Sequence, residues 1–262
     1  MVKKLVLIDK IYNLSSEEKK KSYFSKYLRY LNKKIKAFPN TKIRIKKLRP
    51  YDSRFEIEIN GPEEVFVCNF LKKEIGAIKI FDNVSIGDVY KALMVDVGKV
   101  GFGIFVDCGI LNPKTDALIT LYAIRNQLCS GKKISISEVI KKYDFINNFP
   151  VFVKIEKVDK EKAHIEGIFA DDTLRFYREL ISDDIDSVFI SGETIGKVKN
   201  ALTRTNHIRD IISLGSYGFL ESIVRLKEGT EAPGIISEIG KYLINCKISA
   251  IRAERIKNLF GD

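Results

Sequence analysis

A basic segment whose hydrophobic spacing changes halfway along it most constrains the fold of this chain. Residues 19–49 contain thirteen lysines and arginines and no aspartate or glutamate. Up to Phe38 the apolar residues recur every three or four positions, which is typical of a helix, and from Lys42 they alternate with cations, which is typical of a strand. Because charged side chains are almost never fully buried, both elements must keep one face in water. The pattern predicts a surface helix followed by a half-exposed strand.

The predicted helix starts at a capping box formed by Ser15 and Glu18 and extends to about Phe38. Its apolar residues form one narrow stripe, made of Phe24, Tyr27, Leu28, Leu31, Ile35 and Phe38. The opposite face carries the candidate phosphate contacts, namely Lys19, Lys26, Arg29, Lys33 and Lys36. Such side chains bind phosphates without reading base sequence.

The first part of the chain, residues 1–82, is predicted to have the order strand, helix, strand, strand, helix, strand. The predicted strands are 3–12, 42–49, 54–60 and 77–81, and the second helix ends at Gly76. This order is typical of the ferredoxin-like fold, which RNA-binding modules, enzymes and ligand sensors share. An RNA-recognition motif would carry aromatic residues on its third strand, where this chain has Arg54, Glu56 and Glu58. We therefore expect the helix, and not the sheet, to contact nucleic acid.

The positive charge is concentrated in this first part. The formal net charge of +11 divides into +10 for residues 1–82, −1 for 83–185 and +2 for 186–262. A basic surface attracts polyanions and speeds their encounter. The alternative is that the lysines only form a solvated surface, as in proteins of thermophiles or of organisms with AT-rich genomes.

Length and composition indicate a globular protein of two or three domains, because 262 residues with 45% hydrophobic content can bury a substantial core. No apolar stretch is long enough for a membrane span, and no secretion signal is recognisable, so we expect a cytoplasmic protein that does not contact membranes. The cysteines are far apart: Cys68, Cys108, Cys129 and Cys246. The chain has only two histidines that could complete a metal site. We therefore expect the four cysteines to be small apolar side chains, and not members of disulfides or of a metal site. No cofactor is predicted.

A second type of pattern begins near Val84. Residues 87–90 read Gly-Asp-Val-Tyr, and residues 100–109 read Val-Gly-Phe-Gly-Ile-Phe-Val-Asp-Cys-Gly. The glycines suit a bend or bulge, and Phe105 and Asp107 point to one face of a strand. The pattern resembles the first two strands of the ribosomal S-one type of OB-fold. Segments 149–155 and 163–167 are similar to its last two strands, and 136–143 to the helix that plugs the barrel.

The resemblance covers about residues 84–171 and implies a five-stranded barrel that binds single-stranded RNA. In that family two aromatic side chains form a stacking platform, and they match Phe102 and Phe105; the alternative for both is core packing. Lys154 on the predicted fourth strand is a further candidate RNA contact. The family's third-strand histidine has no counterpart in residues 116–120, and His164 stands at its fifth-strand arginine position. A barrel that docks a protein or serves as a spacer is therefore an open alternative.

The rest of the chain is interpreted as a linker, 173–186, and a small α+β domain, 187–262. Its predicted strands are 187–190, 219–227 and 247–256, and its predicted helices are 194–214 and 231–244. Thr230 as N-cap, with Pro233 in the first turn, explains the glycine-containing string at 229–234. The alternative for this string is an anion bound at the helix N-terminus.

No nucleophile with its base, no carboxylate pair and no metal cluster is recognisable, so we expect a binding protein and not an enzyme. The layout of basic domain (1–82), barrel (83–172), linker and C-terminal domain resembles the archaeal family DUF2110. We expect an α+β protein that binds RNA and is associated with ribosomes or translation. The alternatives are a protein-interaction scaffold and a partner of RNA polymerase, whose archaeal and eukaryotic stalk subunits also join an α+β domain to such a barrel. The oligomeric state is not predictable.

Overall fold

The computed structural model describes residues 2–14 and 16–260, without the side chain of Phe260. The chain forms two compact units, Met1–Ile78 and Lys79–Asp262. Among the described residues, no helix combines the length and the apolar character that crossing a membrane requires.

The first unit is a ferredoxin-like domain. Its elements are β1 (Lys3–Lys10), α1 (Glu17–Lys34), β2 (Lys42–Leu48), β3 (Arg54–Asn60) and α2 (Glu64–Glu74). The strands pair antiparallel in the order β1-β3-β2. Ala77 adds an isolated antiparallel bridge to Leu7 of β1, which is where a fourth ferredoxin-like strand would lie. The predicted strand 77–81 is thus reduced to this bridge, and its last part pairs elsewhere.

The N-cap residue of helix α1 is Ser16, one residue later than the predicted Ser15. The Ser16 hydroxyl accepts a hydrogen bond from the Lys19 amide at 3.1 Å, and Ser15 lies outside the described residues. The helix also ends earlier than predicted, because the chain turns after Lys34 and the Phe38 amide donates to the Ile35 carbonyl at 2.8 Å. Half of the predicted apolar stripe is buried, namely Tyr27, Leu31 and Ile35, and the other half, Phe24, Leu28 and Phe38, is partly buried. Tyr23, which was not assigned to the stripe, is also buried.

The second unit starts with a closed barrel, which confirms the predicted OB-fold. Its strands are β4 (Lys79–Ile80), β5 (Val89–Val95), β6 (Gly103–Leu111), β7 (Thr115–Thr120), β8 (Pro150–Asp159) and β9 (His164–Phe169). Strands β5 to β9 close the barrel in the order β6-β5-β8-β9-β7, with β7 pairing back to β6, while β4 pairs in parallel with β6 at the edge. Helix α4 (Ile136–Tyr143) has the predicted bounds, whereas α3 (Leu121–Leu128) was not predicted.

The C-terminal part contains a second sheet with ferredoxin-like order. Its elements are α5 (Asp171–Asp183), β10 (Ser187–Ser191), α6 (Ile195–Arg204), β11 (Ile211–Ser216), β12 (Glu221–Leu226), α7 (Ala232–Ile239), β13 (Lys247–Ile251) and α8 (Ala253–Phe260). The strands are antiparallel in the order β11-β12-β10-β13. Counted from β10, this is strand order 2-3-1-4. The three strands of the first unit, read from the other edge, have the order 2-3-1, with the Ala77 bridge at the place of the fourth strand.

Two elements of this part differ from the prediction. The predicted helix 194–214 ends at Arg204, because Asn206 adopts a left-handed conformation with φ 63°, and the following isoleucines form β11. Ile208 and Ile212, which were assigned to the inner face of that helix, are 39% and 58% exposed. The predicted strand 247–256 ends at Ile251 and α8 follows.

The barrel and the C-terminal sheet share one hydrophobic core. The ring centre of Phe149, the residue before β8, lies 4.7 Å from that of Phe189 in β10. Tyr177 and Leu180 of α5 are 2% and 1% exposed and belong to the same core. The predicted linker 173–186 is therefore mostly a packed helix. It lies inside the compact unit Lys79–Asp262 and does not separate two such units.

Candidate nucleic-acid interface

The predicted cations of α1 lie on its outer side. Arg29, Lys33 and Lys36 are exposed. Lys19 and Lys26 are partly buried, with their ammonium groups 5.6 Å and 5.5 Å from the centre of the Tyr23 ring. A cation at this distance is attracted by the ring electrons, so Tyr23 fixes these two side chains against the helix.

Two of the cations on the sheet are compensated by a carboxylate. Lys46 and Lys47 of β2 lie 3.1 Å and 3.6 Å from the carboxylate oxygens of Glu56 in β3. The hydrogen bond from Lys46 is the largest of the effects that lower the pKa of Glu56. In the strand register, Glu58 lies opposite Arg44 of β2 on one side and Lys4 of β1 on the other. The open face of this sheet therefore presents mixed charge.

The outer row of α1 lacks such partners. Within the part of the chain that the structure describes, Lys26, Arg29 and Lys33 take part in no ion pair, whereas their neighbour Lys34 lies 3.5 Å from Glu74. Their spacing of three and four residues places them in a row, about 5 Å apart along the helix axis. Lys36 extends the row into the turn after the helix. The row is therefore an uncompensated positive surface.

The exterior of the barrel carries the two predicted phenylalanines side by side. Even-numbered residues of β6 such as Ile104 and Val106 line the core, so Phe105 points outward, opposite Val95 of β5 and Leu118 of β7. Phe102 is 57% exposed, and its ring centre lies 6.1 Å from that of Phe105 in an edge-to-face contact. Core packing, the alternative interpretation, does not describe Phe102.

A glycine and a bend in β6 shape this surface. A Cβ atom on Gly103 would lie 2.3 Å from the Ile119 carbonyl oxygen, so β6 and β7 can approach this closely only with glycine there. A Cβ atom on Gly101 would have no other atom within 4 Å, so packing does not require a glycine at this position. Farther along β6, the Gly109 amide donates to the Asp107 carboxylate at 2.9 Å, and Gly109 has φ 71°. Asp107 shares the outer face with Phe105, as predicted, but is buried in this bend.

Tyr122 is an additional exposed aromatic residue that the sequence analysis missed. It is 75% exposed in the first turn of α3. The preceding amide, of Leu121, donates to the Phe102 carbonyl at 2.7 Å, which places the start of α3 beside the phenylalanines. The signal in the sequence was Thr120, whose hydroxyl caps α3 by accepting from the Ala123 amide at 3.3 Å.

The structure does not bring Lys154 to the phenylalanines. Lys154 is exposed on β8 opposite Val89, whereas Phe105 lies opposite Val95, farther along the same strand β5. Six residues along a strand correspond to about 20 Å. The Nε2 atom of His164 lies 3.1 Å from a carboxylate oxygen of Glu166. The predicted site residues of the barrel thus form a phenylalanine pair with Tyr122 nearby, and a separate lysine.

The glycine-containing string 229–234 does not present a free helix N-terminus. Thr230 is not the N-cap, because α7 begins after Glu231. The Asp186 carboxylate accepts a hydrogen bond from the Ala232 amide at 3.1 Å, so a carboxylate of the chain itself stands where the alternative interpretation places an anion. Among the described residues, no group of His, Cys, Asp and Glu side chains could hold a metal ion.

Several solved structures are similar to parts of the chain. A protein of Methanocaldococcus jannaschii, MJ1198, is 16% identical with a TM-score of 0.24 and covers 34% of this chain and 96% of its own. The intact alpha subunit of aIF2 from Pyrococcus abyssi is 12% identical with a TM-score of 0.25 and covers 64% and 97%. GSP13 from Bacillus subtilis is 20% identical with a TM-score of 0.23, over 33% of this chain and 55% of its own.

No curated protein matches the sequence significantly. The DUF2110 central domain matches residues 84–181, which contain the barrel and most of α5. The DUF2110 C-terminal domain matches residues 185–251, which contain the second ferredoxin-like sheet. Since these two matches together span well over half of its residues, the chain belongs to the DUF2110 family.

Proposed function

We propose that the protein binds single-stranded RNA and acts by binding alone. The observation that carries this proposal is the row of α1 cations, Lys26, Arg29 and Lys33, which have no carboxylate partner among the described residues. Lys46 and Lys47 of the same basic segment are already paired with Glu56. Phosphates that contact an unpaired cation release their own counterions, and this release drives binding. The row therefore contacts the RNA backbone.

The phenylalanine pair of the barrel supplies the second contact in this proposal. Phe102 exposes more than half of its surface to water, and stacking a base on such a ring contributes about 1–3 kcal/mol. Leu118 lies opposite Phe105, at a strand where the resemblance implied a histidine. A leucine neither donates nor accepts a hydrogen bond, so the pair stacks bases with little dependence on sequence.

The dependence of binding on salt tests the role of α1. Four neutralised phosphates on a single strand give a slope of about −3 for log affinity against log salt concentration. We expect the variant with glutamine at Lys26, Arg29, Lys33 and Lys36 to lose most of this slope in filter binding. The matched control replaces four cations of β2, which are Lys42, Arg44, Lys46 and Lys47, by glutamine. Equal slopes in the two variants would remove α1 from the interface.

Ribosomal RNA is the first RNA to test, and RNA polymerase is the main competing partner. In this proposal the protein sediments with ribosomal subunits at low salt and is released at high salt, and immobilised protein does not retain polymerase. Turnover of RNA or nucleotide by purified protein, lost on replacing one acidic residue, would contradict binding without catalysis.

A further inference from the structure

Helix α2 carries more apolar side chains than its own unit buries. Six of the seven residues 65–71 are apolar. Val67, Cys68 and Leu71 face the core, whereas Val65 and Phe66 are 55% and 61% exposed. A surface helix normally keeps its apolar residues on the face that packs on the core. The packing of Met1–Ile78 therefore leaves the outer face of α2 unexplained.

A third phenylalanine joins this face from the turn after α1. The ring of Phe38 lies 5.3 Å from that of Phe66 and 6.1 Å from that of Phe70. Backbone hydrogen bonds hold the turn, since the Phe38 amide donates to Ile35 and its carbonyl accepts from Thr41. The three rings and Val65 thus form a preformed surface, which we name the phenylalanine patch.

An uncompensated positive charge lies at the edge of the patch, at the C-terminal end of α2. Lys73 follows Phe66 and Phe70 at helical spacing and is exposed. Within the described residues Lys73 takes part in no ion pair, whereas Glu74 is paired with Lys34 at 3.5 Å. At the other end of α2, Glu63 accepts a hydrogen bond from Thr41 at 3.4 Å.

The geometry of the rings favours a polypeptide over nucleic acid as occupant. The Phe38 ring is tilted by 49° against Phe66 and by 58° against Phe70, so the three rings offer no parallel platform for successive bases. Val65 has no face on which a base could stack. A clustered apolar surface of aromatic and aliphatic side chains is typical of a groove that receives apolar anchors.

We propose that the phenylalanine patch docks an amphipathic helix of a partner protein. The helix places apolar anchors at i, i+3 or i+4 spacing around Phe66. An acidic residue at its end faces Lys73, which gives the complex its orientation through charge complementarity. This interaction is independent of RNA binding.

The probe is a phage-displayed library of short helical peptides with randomised surface positions, selected against the full-length protein. Phe66→Ser removes the centre of the patch, and Phe102→Ser is the matched control, because both phenylalanines are similarly exposed, at 61% and 57%. We expect selected peptides to carry spaced apolar anchors and an excess of Asp and Glu. Their affinity should fall about tenfold or more in Phe66→Ser and stay unchanged in Phe102→Ser.

Two further measurements separate this proposal from its rivals. Lys73→Glu should weaken the binding of acidic peptides and leave the thermal unfolding temperature unchanged. Phe66→Ser should bind RNA with the same salt dependence as the wild type. Equal enrichment on wild type and Phe66→Ser, or selection of basic peptides, would overturn the proposal. So would loss of RNA affinity in Phe66→Ser, or a concentration-dependent dimer in sedimentation that Phe66→Ser abolishes, because the occupant would then be RNA or a second copy.

Discussion

At the scale of single residues, exposure separates side chains that hold the fold from those that face outward without structural need. Phe149 and Phe189 are buried and join two parts of the second unit. Phe102 is as large but mostly exposed, and its contact is with another outward ring, Phe105. Replacing Phe102 should therefore affect binding far more than folding.

We expect Phe102→Leu to weaken the affinity for single-stranded RNA by about 1 kcal/mol or more, because leucine removes the stacking ring. Thermal unfolding should change little, within about 0.5 kcal/mol, as for exposed positions in general. Ile212→Ala is the control, since Ile212 is equally exposed, at 58%, on β11. If both variants bind RNA like the wild type, the barrel is a docking module or a spacer.

Asp144 makes the stability of the second unit depend on pH. It follows α4 in a left-handed conformation with φ 51°. Burial raises the pKa of its carboxyl to about 6, although the Arg255 guanidinium, 3.5 Å away, opposes this rise. The folded protein then holds this proton more tightly than the unfolded chain, so this carboxyl costs stability as the pH rises from about 4 to about 6.

Asp144→Asn removes this titration, and asparagine tolerates the left-handed conformation. The free energy of unfolding of the variant minus that of the wild type should therefore increase between pH 4 and pH 7. Urea denaturation at several pH values measures the difference, and Asp183→Asn, at a mostly exposed position, is the control. A difference that stays constant or falls with pH would show that Asp144 is not the group responsible.

At the scale of elements, one strand order serves two different environments. In β3, Phe55, Ile57 and Ile59 alternate with charged residues, and one face of that sheet stays open. In β10, all five residues are buried, because one face of its sheet packs on α6 and α7 and the other joins the barrel core. The alternation of the sequence therefore distinguishes the open sheet from the covered one, although their topology is the same.

Asp186 links two helices of the covered sheet. Its carboxylate accepts a hydrogen bond from the Ala232 amide at the start of α7. Although burial raises the pKa of this carboxyl overall, the Ala253 amide, at the start of α8, also lowers it and so stabilises the charged form. Since a lost N-cap typically costs about 0.5–2 kcal/mol, we expect Asp186→Ala to lower the free energy of unfolding by about 1–3 kcal/mol. Urea denaturation checks this, with Asp183→Ala as control. A loss no larger than that of the control would contradict the double cap.

At the scale of the whole molecule, the shared core decides which fragments can fold. Residues 84–171 contain the complete barrel, but they lack Tyr177, Phe189 and Ile251, which fill the same core. We expect the fragment 79–262 to unfold cooperatively, whereas 84–171 should bind a hydrophobic dye and lack near-ultraviolet circular dichroism. Fragment 1–78 is the control, because it keeps its own sheet and helices. Equal thermal stability of 84–171 and 79–262 would refute the shared core.

Local patterns in the sequence were sufficient for some elements and not for others. Strand β3 was predicted with its observed bounds because the alternation of apolar and charged residues is encoded within a few residues, and α4 was predicted from the resemblance to the OB-fold family. The isoleucines 208, 211 and 212 fit a helical spacing equally well, and only pairing with β12 makes Ile211–Ser216 a strand. The role of α5 was missed for the same reason, since the contacts that bury Tyr177 come from distant parts of the chain. The compensation of Lys46 by Glu56 likewise depends on strand register.

The shared core also sets an order of events during synthesis. The unit Met1–Ile78 has all its strands once Ala77 has emerged from the ribosome, whereas the core of the second unit includes Ile256 and Leu259, close to the last described residue. At about 5–20 residues per second, the intervening ~180 residues take roughly 10–40 s to make. The basic unit can thus fold and present its cations before β13 and α8, which complete the core of the second unit, have been synthesised.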